Sequence, residues 1–384
     1  MMAAMHRLPL LAALTSATAL AALAACGGGG SNTGGGTNTF TTGGNTASGT
    51  GGATSTTTTS GTGGDVIITM SGNTGGSTGT TTATGGAAGY LIYASTDTDL
   101  YTMDPLDPAL TLNHIGTFDC INASPDAGVH YAMTDIAVDK DLNLWGVTGH
   151  DLVSLTVQGT TVHCGPFISI NSAAGQPNPT FYALTVAPIG TISATEEVLV
   201  GGNSAGELWR IDVSGNTAVT SIIGKFGDVP ADDGRGHTYA NAGKPWELSG
   251  DLVFLYNGGH PIGFATVRDC PSPPSTTGCS YTDTLLEIDM AKLNQATVPP
   301  TPPVVTQAVR GQLTDCSNPA KNFGAMYGIA ARADKVYGFA HGGLLVEISN
   351  NDGKSCFKGS YSGSKFSGAA VTTLAPVVAP PVIN

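Results

Sequence analysis

The sequence predicts an all-β fold in which one small antiparallel sheet is repeated around a ring. Three observations predict it: short apolar strands punctuated by Gly, Asp and Asn from residue 89 onward, five copies of one hexapeptide pattern, and an innermost strand type whose missing copy lies at the far end of the chain. Alternation with a period of two and frequent turn residues mark half-buried strands, and hardly any stretch keeps a helical period. Residues 285–294 come nearest to a helix and still fit a strand better.

The hexapeptide appears as Asp99-Leu100-Tyr101-Thr102-Met103-Asp104, Asp151-Leu152-Val153-Ser154-Leu155-Thr156 and Glu207-Leu208-Trp209-Arg210-Ile211-Asp212. It returns as Thr284-Leu285-Leu286-Glu287-Ile288-Asp289 and Leu344-Leu345-Val346-Glu347-Ile348-Ser349, always with apolar second, third and fifth residues. A strand precedes each copy, at 91–94, 144–147, 198–201, 262–267 and 336–340. A strand centred on a glycine follows each, at Gly116-Thr117-Phe118, Gly165-Pro166-Phe167, Gly224-Lys225-Phe226, Gly311-Gln312-Leu313 and Gly359-Ser360-Tyr361, with spacings of 49, 59, 87 and 48 residues.

The innermost type is read at Asp135-Ile136-Ala137-Val138, Ala183-Leu184-Thr185-Val186 and Gly328-Ile329-Ala330-Ala331, with a weaker copy at Asp251-Leu252-Val253-Phe254. Its small residues suit a crowded axis. The first repeat begins at Tyr90 without this strand, and Gly368-Ala369-Ala370-Val371 supplies it after the last outer strand, so pairing the two removes both open edges.

This pattern resembles a β-propeller of four-stranded blades with a velcro closure. The resemblance implies blades near 89–119 (with 367–374), 132–169, 181–226, 246–313 and 325–362. Five blades are favoured, although the 87-residue spacing, with insertions at 227–245, 269–282 and 296–303, leaves room for a sixth or seventh. The body is thus expected over 89–374, with 375–384 as a C-terminal tail.

Before it lies a different material. In residues 27–88, 51 of 62 positions are Gly, Thr, Ser or Asn, and the only charge is Asp65. Such a stretch buries too little apolar surface to offset its backbone entropy and reads as a disordered linker, the apolar run 66–70 being a stray strand or docking patch at most. At the start, Met1, His6 and Arg7 precede an uncharged, largely apolar run over 8–25 that reads as an export signal. Leu23-Ala24-Ala25-Cys26 resembles the lipobox of bacterial lipoproteins. The resemblance implies cleavage after residue 25 and lipid, such as palmitate, on Cys26; the absence of Asp at Gly27 implies the outer membrane, on its periplasmic or its outer side. The membrane is then a partner through several acyl chains, where one chain alone gives marginal anchoring.

Six cysteines remain in this exported chain, and an even number reads as disulfides. Cys120 lies four residues past its glycine and Cys164 one before the next; Cys316 lies five past its own and Cys356 three before the next. The two pairs therefore link equivalent places on neighbouring outer strands, and Cys270 with Cys279 closes a local loop.

Residues 89–384 carry 14 basic and 27 acidic side chains and no basic stripe, which excludes a nucleic-acid partner. By the propeller resemblance, a ligand sits at a mouth made of the loops between second and third strands and between outer and next inner strands. Asp97, Asp99, His150, Asn203 and His341 fall in the first set, Asp232, Asp233, Arg235 and His237 in the second. His150 and His341 occupy matching positions and, with Asp97 and Asp99 in register, are candidates for converging imidazoles and carboxylates, although Gly-His-Asp and His-Gly-Gly also form turns. The loop 228–239 suits a ligand or a weak calcium site but lacks the alternating oxygen order of an EF-hand, and Tyr239 and Trp246 are expected to be exposed stacking platforms. Trp209 is expected to pack between blades. There is no CxxC, no Gly-x-Ser-x-Gly elbow and no phosphate-cradling loop. The sequence thus assigns no metal, no cofactor and no catalytic residue. It points to a noncatalytic lipoprotein that binds a protein, peptide or glycan; the alternative is a carbohydrate-active hydrolase or lyase using mouth carboxylates.

Overall fold

A computed structural model of the chain describes residues 90–121, 132–172, 178–257, 259–274, 277–294 and 301–382. The export signal, Cys26, the linker with its 66–70 run, and loop residues 122–131 and 173–177 lie outside them. The described residues form strands throughout, with no α-helix and one 3-10 turn, Met290–Asn294.

The chain begins with β1 (Ile92–Thr96), β2 (Asp99–Met103) and β3 (Leu112–Phe118), an antiparallel meander. A second follows in β4 (Asp135–Val138), β5 (Leu144–Val147), β6 (Asp151–Gln158) and β7 (Thr161–Cys164), after which β8 (Ile168–Ser172) crosses to the next. The third is β9 (Ala183–Ala187), β10 (Val198–Gly202), β11 (Glu207–Ser214) and β12 (Thr217–Lys225). The fourth is β13 (Trp246–Asn257), β14 (His260–Asp269), β15 (Thr284–Ile288) and β16 (Thr306–Gln312). The fifth is β17 (Met326–Arg332), β18 (Lys335–Ala340), β19 (Leu344–Ser349) and β20 (Ser355–Ser360). Last comes β21 (Phe366–Ala370), which returns to pair antiparallel with β1, Ala369 opposite Ala94 and Ala370 opposite Tyr93. The fold is all-β and propeller-like.

The repeated hexapeptide explains the packing. Its second and third residues lie on opposite faces of each third strand and are buried in all copies except the half-buried Tyr101, as with Leu152 and Val153 or Leu345 and Val346, so each sheet presents apolar surface to a neighbour. One apolar cluster joins β1 and β14 to β17–β19 and β21, and another joins β9–β11 to β13–β15. Each fully buried Leu, Ile or Phe contributes about 1.5–3 kcal/mol. Trp209 sits in such an inter-sheet cluster with Leu199, Ile211 and Phe181. The inner strands also touch in turn: β4 packs on β9 and β21, β13 on β9 and β17, and β17 on β21.

The rim uses another device. The end of one outer strand pairs in parallel with the start of the next: Phe118 with Val162, Ile170–Ser172 with Ala218–Thr220, Lys225 with Val304, and Asp315 with Ser355. Three glycines of the repeat, Gly116, Gly224 and Gly311, belong to this crossing. A Cβ on Gly116 would lie 2.4 Å from the Thr160 carbonyl, and one on Gly311 2.5 Å from that of Asp352, so only glycine lets the outer strand pass the next sheet's turn. Disulfides Cys120–Cys164 and Cys316–Cys356 fasten two of these crossings and Cys270–Cys279 closes a loop, the pairings the repeat register predicts.

The structure adds detail to the expected strands and tail. The outer strand placed on Gly165-Pro166-Phe167 is split there: Thr161–Cys164 and Ile168–Ser169 both pair with β6, and the ladder is interrupted between them, where Pro166 has no N–H to give. Residues 285–294 divide into the end of β15 and the 3-10 turn. The tail does not hang free. Over 372–382 it crosses the far ends of the inner strands as a strap: the Thr372 hydroxyl donates to the Asp139 carbonyl, Tyr256 N–H to Thr373, Ala333 N–H to Pro376, and the Asn350 amide to Val378. Buried Arg310, paired with Glu287, donates to the Pro381 carbonyl at 2.8 Å.

Candidate functional site

The mouth lies where the inner strands begin. On its first-sheet side, Asp97 and Asp99 line a cleft of about 250 Å³ with Tyr101, Ser364 and Lys365. Asp99 accepts from His114 Nε2 and the Thr117 hydroxyl, both at 2.9 Å, and from the Thr98 hydroxyl at 2.6 Å. Burial works against its charge, but these bonds outweigh it and hold the carboxyl below the ordinary carboxylate range. Asn203 accepts from Glu207 N–H and donates to the Glu207 carboxylate, which closes its own hairpin.

The loop 228–245 folds on itself. Asp233 is buried and takes the Arg235 and His237 N–H groups and His237 Nδ1 at 2.7 Å. Burial raises the Asp233 pKa, and the His237 and backbone bonds bring it below the usual value. Asp232 accepts from Gly234 N–H, while Arg235 donates to the carbonyls of Asp233, Val309 and Asn351, pinning the loop to the rim. Tyr239 and Trp246, expected to be exposed platforms, are buried: their rings meet edge to face at 5.1 Å, and the Tyr239 hydroxyl accepts from Thr284. They join Phe226 and Val229 in the apolar cluster beneath the loop, whose carboxylates Asp232 and Asp233 accept from the loop's own amides and His237.

The two matching histidines have separate partners. His150 is exposed beside the Thr180 hydroxyl at 3.4 Å, whereas His341 donates from Nδ1 to the Phe366 carbonyl at 3.3 Å and tilts against Tyr327 with ring centroids 4.8 Å apart. Among the described residues, the groups of three potential ligands within one ion's reach are Asp119 with Cys120 and Cys164, and Glu247 with Cys270 and Cys279. In both the sulfurs are tied in disulfides and offer no thiolate.

Sequence reasoning missed two sets of groups. Tyr182, 47% exposed just before β9, and Tyr281, 97% exposed two residues past Cys279, present aromatic rings to solvent. Beneath the mouth are Asp135 and Asp251, the first residue of β4 and a residue of β13, both with no exposure. Asp135 accepts Ile136 and Leu184 N–H, and Asp251 accepts Leu252 and Ile329 N–H at 2.6 Å each; burial, and for Asp135 the neighbouring Asp251, raise both carboxyls above the ordinary range. Nearby Asp283 takes the Ser249 hydroxyl and Met326 N–H, and burial pushes it up to about 6. The aspartates at 135 and 251 were readable within the inner-strand pattern, where no turn calls for a carboxylate. At the other end of the inner strands, Trp145, Asp139, Glu196, Glu197 and Asp212 line a second cleft of about 260 Å³.

The described residues thus define an all-β, propeller-like body with a polar mouth whose charged groups are largely bonded within their own loops. No protein-family model matches the chain, and no curated protein matches it. Solved structures to which it is similar include a chain of the cryo-EM structure of RAG in complex with one melted and one unmelted RSS, at 10% identity and a TM-score of 0.33, covering 61% of this chain and 69% of that one. Another is a chain of the crystal structure of BBS1N in complex with ARL6DN, at 9% identity and a TM-score of 0.27, where 65% of this chain covers 55% of the other. Neither likeness bears on what this chain does.

Proposed function

We propose that the chain is an exported lipoprotein, anchored to the outer membrane through acylated Cys26, that displays a closed, five-bladed, noncatalytic β-propeller for binding a ligand or protein. The carrying observation is the engagement of the mouth's chemistry-bearing side chains: Asp99, Asn203, Asp233 and Arg235 each hold their own loop. A catalytic acid or base has to reach substrate, and these groups are taken up by neighbouring side chains and backbone of the protein itself. Tyr182 and Tyr281 offer flat, exposed surface for a peptide or glycan instead.

Five antiparallel meanders, the first three joined at the rim into one 13-stranded sheet, together with the β21–β1 pairing and the succession of inner-strand contacts, support the blade count and closure. On this reading the signal spans 1–25, the linker 26–88 and the propeller 89–374, continued by the strap. The linker has an r.m.s. reach of about 40–50 Å, which holds the body away from the membrane. Metabolic labelling with palmitate tests the anchor: label in the membrane fraction for the native chain, and a soluble, unlabelled product for Cys26→Ser, is the expected result. Equal labelling of both overturns it. Binding without turnover on glycan and peptide arrays is expected of the mouth; cleavage that disappears with Asp97→Asn would make the protein an enzyme.

A further inference from the structure

We propose that Asp135 and Asp251 share a single proton at the hub of the ring, and that this proton holds the inner strands together, so that the hub loosens when it is withdrawn. The innermost strand of each sheet has one edge without a β partner, and its N–H groups point away from the ladder. Here Ile136, Leu184, Leu252 and Ile329 present such groups in a region without solvent, and each is accepted by one of the two carboxyls. Asp251 also accepts from Ala369 of β21. Asp135 therefore ties β4 to β9, and Asp251 ties β13 to β17 and β21.

The two halves meet where these buried carboxyls face each other, beside the Phe254 N–H of β13 donating to the Thr185 hydroxyl of β9. Two ionised carboxylates have no hydrogen to give each other, so a bond between them requires one shared proton. The hub has room for this pair and no more. A Cβ on Gly368 would lie 2.0 Å from Asp135 Oδ1, and the matching residues of β9 and β17 are Ala183 and Gly328.

The surroundings do not compensate a second negative charge. At the hub β9 and β21 bring amides and no ionisable side chain, while β17 brings Tyr327, with His341 stacked on it. Asp283 at the head of β15 adds a further carboxyl, itself bonded to Ser249 and Met326, and the neighbouring Arg268 is paired with Glu247. Burial first, and for Asp135 the facing Asp251, raise both carboxyls above the ordinary range. The sign follows: a raised folded-state pKa gives stability that is full in acid, below the ordinary carboxylate value, and is lost as pH rises through the raised one.

Infrared spectroscopy of the full chain at neutral pH tests this directly. The expected result is a protonated-carboxyl band that Asp135→Asn and Asp251→Asn each abolish and that the control Asp283→Asn keeps. In the wild type, raising the pH should remove the band and, in step, speed amide exchange at Leu184 and Ile329. A wild type with no such band at neutral pH contradicts the shared proton. A band that titrates away while those two amides stay equally protected contradicts its role in holding the hub. Both wild-type outcomes decide the matter even where a variant does not fold.

Discussion

At the hub, neighbouring sheets meet through two carboxyls with no exposure to solvent; at the rim they meet through parallel strand ends and disulfides within reach of water. The difference follows from solvent. An edge amide at the rim can turn to water, so pairing there is optional and covalent bonds add order between the first and second sheets and between the fourth and fifth. An edge amide at the hub cannot, and an unmet buried donor costs about 1–3 kcal/mol, so a side-chain acceptor has to be built in. Where the fifth sheet meets the first there is no disulfide, and the junction rests on the β21–β1 ladder and the Tyr361 hydroxyl donating to the Leu110 carbonyl at 3.0 Å.

The comparison breaks if the two regions respond alike to substitution. Asp251→Ala orphans the Leu252 and Ile329 amides, and denaturant unfolding should show a loss of about 3–5 kcal/mol. Removing Cys120–Cys164 as a double serine variant should cost about 2–4 kcal/mol, roughly 1 kcal/mol more than removing Cys270–Cys279, because the sequence separations are 44 and 9 residues. Gly116→Ala drives a methyl into the Thr160 carbonyl and should cost about 1–3 kcal/mol in the same assay. Asn350→Ala releases the strap at Val378 for about 1 kcal/mol and should raise amide exchange over 376–382 while leaving β21 protected.

The pH dependence has opposite signs in the two kinds of site. Asp283, raised to about 6 by burial, contributes stability that is full below the ordinary carboxylate value and lost as pH rises through about 6; Asp283→Asn should flatten that decline in a series of melts. Asp99 is held low by Thr98, His114 and Thr117 against its burial, so its contribution is present above the ordinary value and lost as pH falls. His114 is exposed at this pair, and His114→Ala should change stability by less than about 1 kcal/mol.

The repeat was legible because period-two alternation survives in the hexapeptides, and it fixed where each third strand would lie and which cysteines would face each other across the rim. Pro166 shows one limit. A glycine-centred register pointed to a continuous strand there, while the missing donor on proline interrupts the ladder between Cys164 and Ile168. Tyr239 and Trp246 show another. A loop rich in Gly and Asp suggested exposure, yet its Asx turns folded it onto the core and buried both rings. Asp135 and Asp251 could not be paired from the sequence, since they meet only when strands distant in the chain converge on one axis. The strap was missed because residues 372–382 have little strand pattern and are held mainly by other segments' side chains and amides.

Amide exchange across the closing ladder tests the account most directly. If β21 completes the sheet begun by β1, peptides covering Phe366–Ala370 and Ile92–Thr96 should exchange slowly, lose protection together as denaturant is added, and match β17 in doing so. Fast exchange over Phe366–Ala370 under native conditions, with Ile92–Thr96 still protected, would contradict the closed ring.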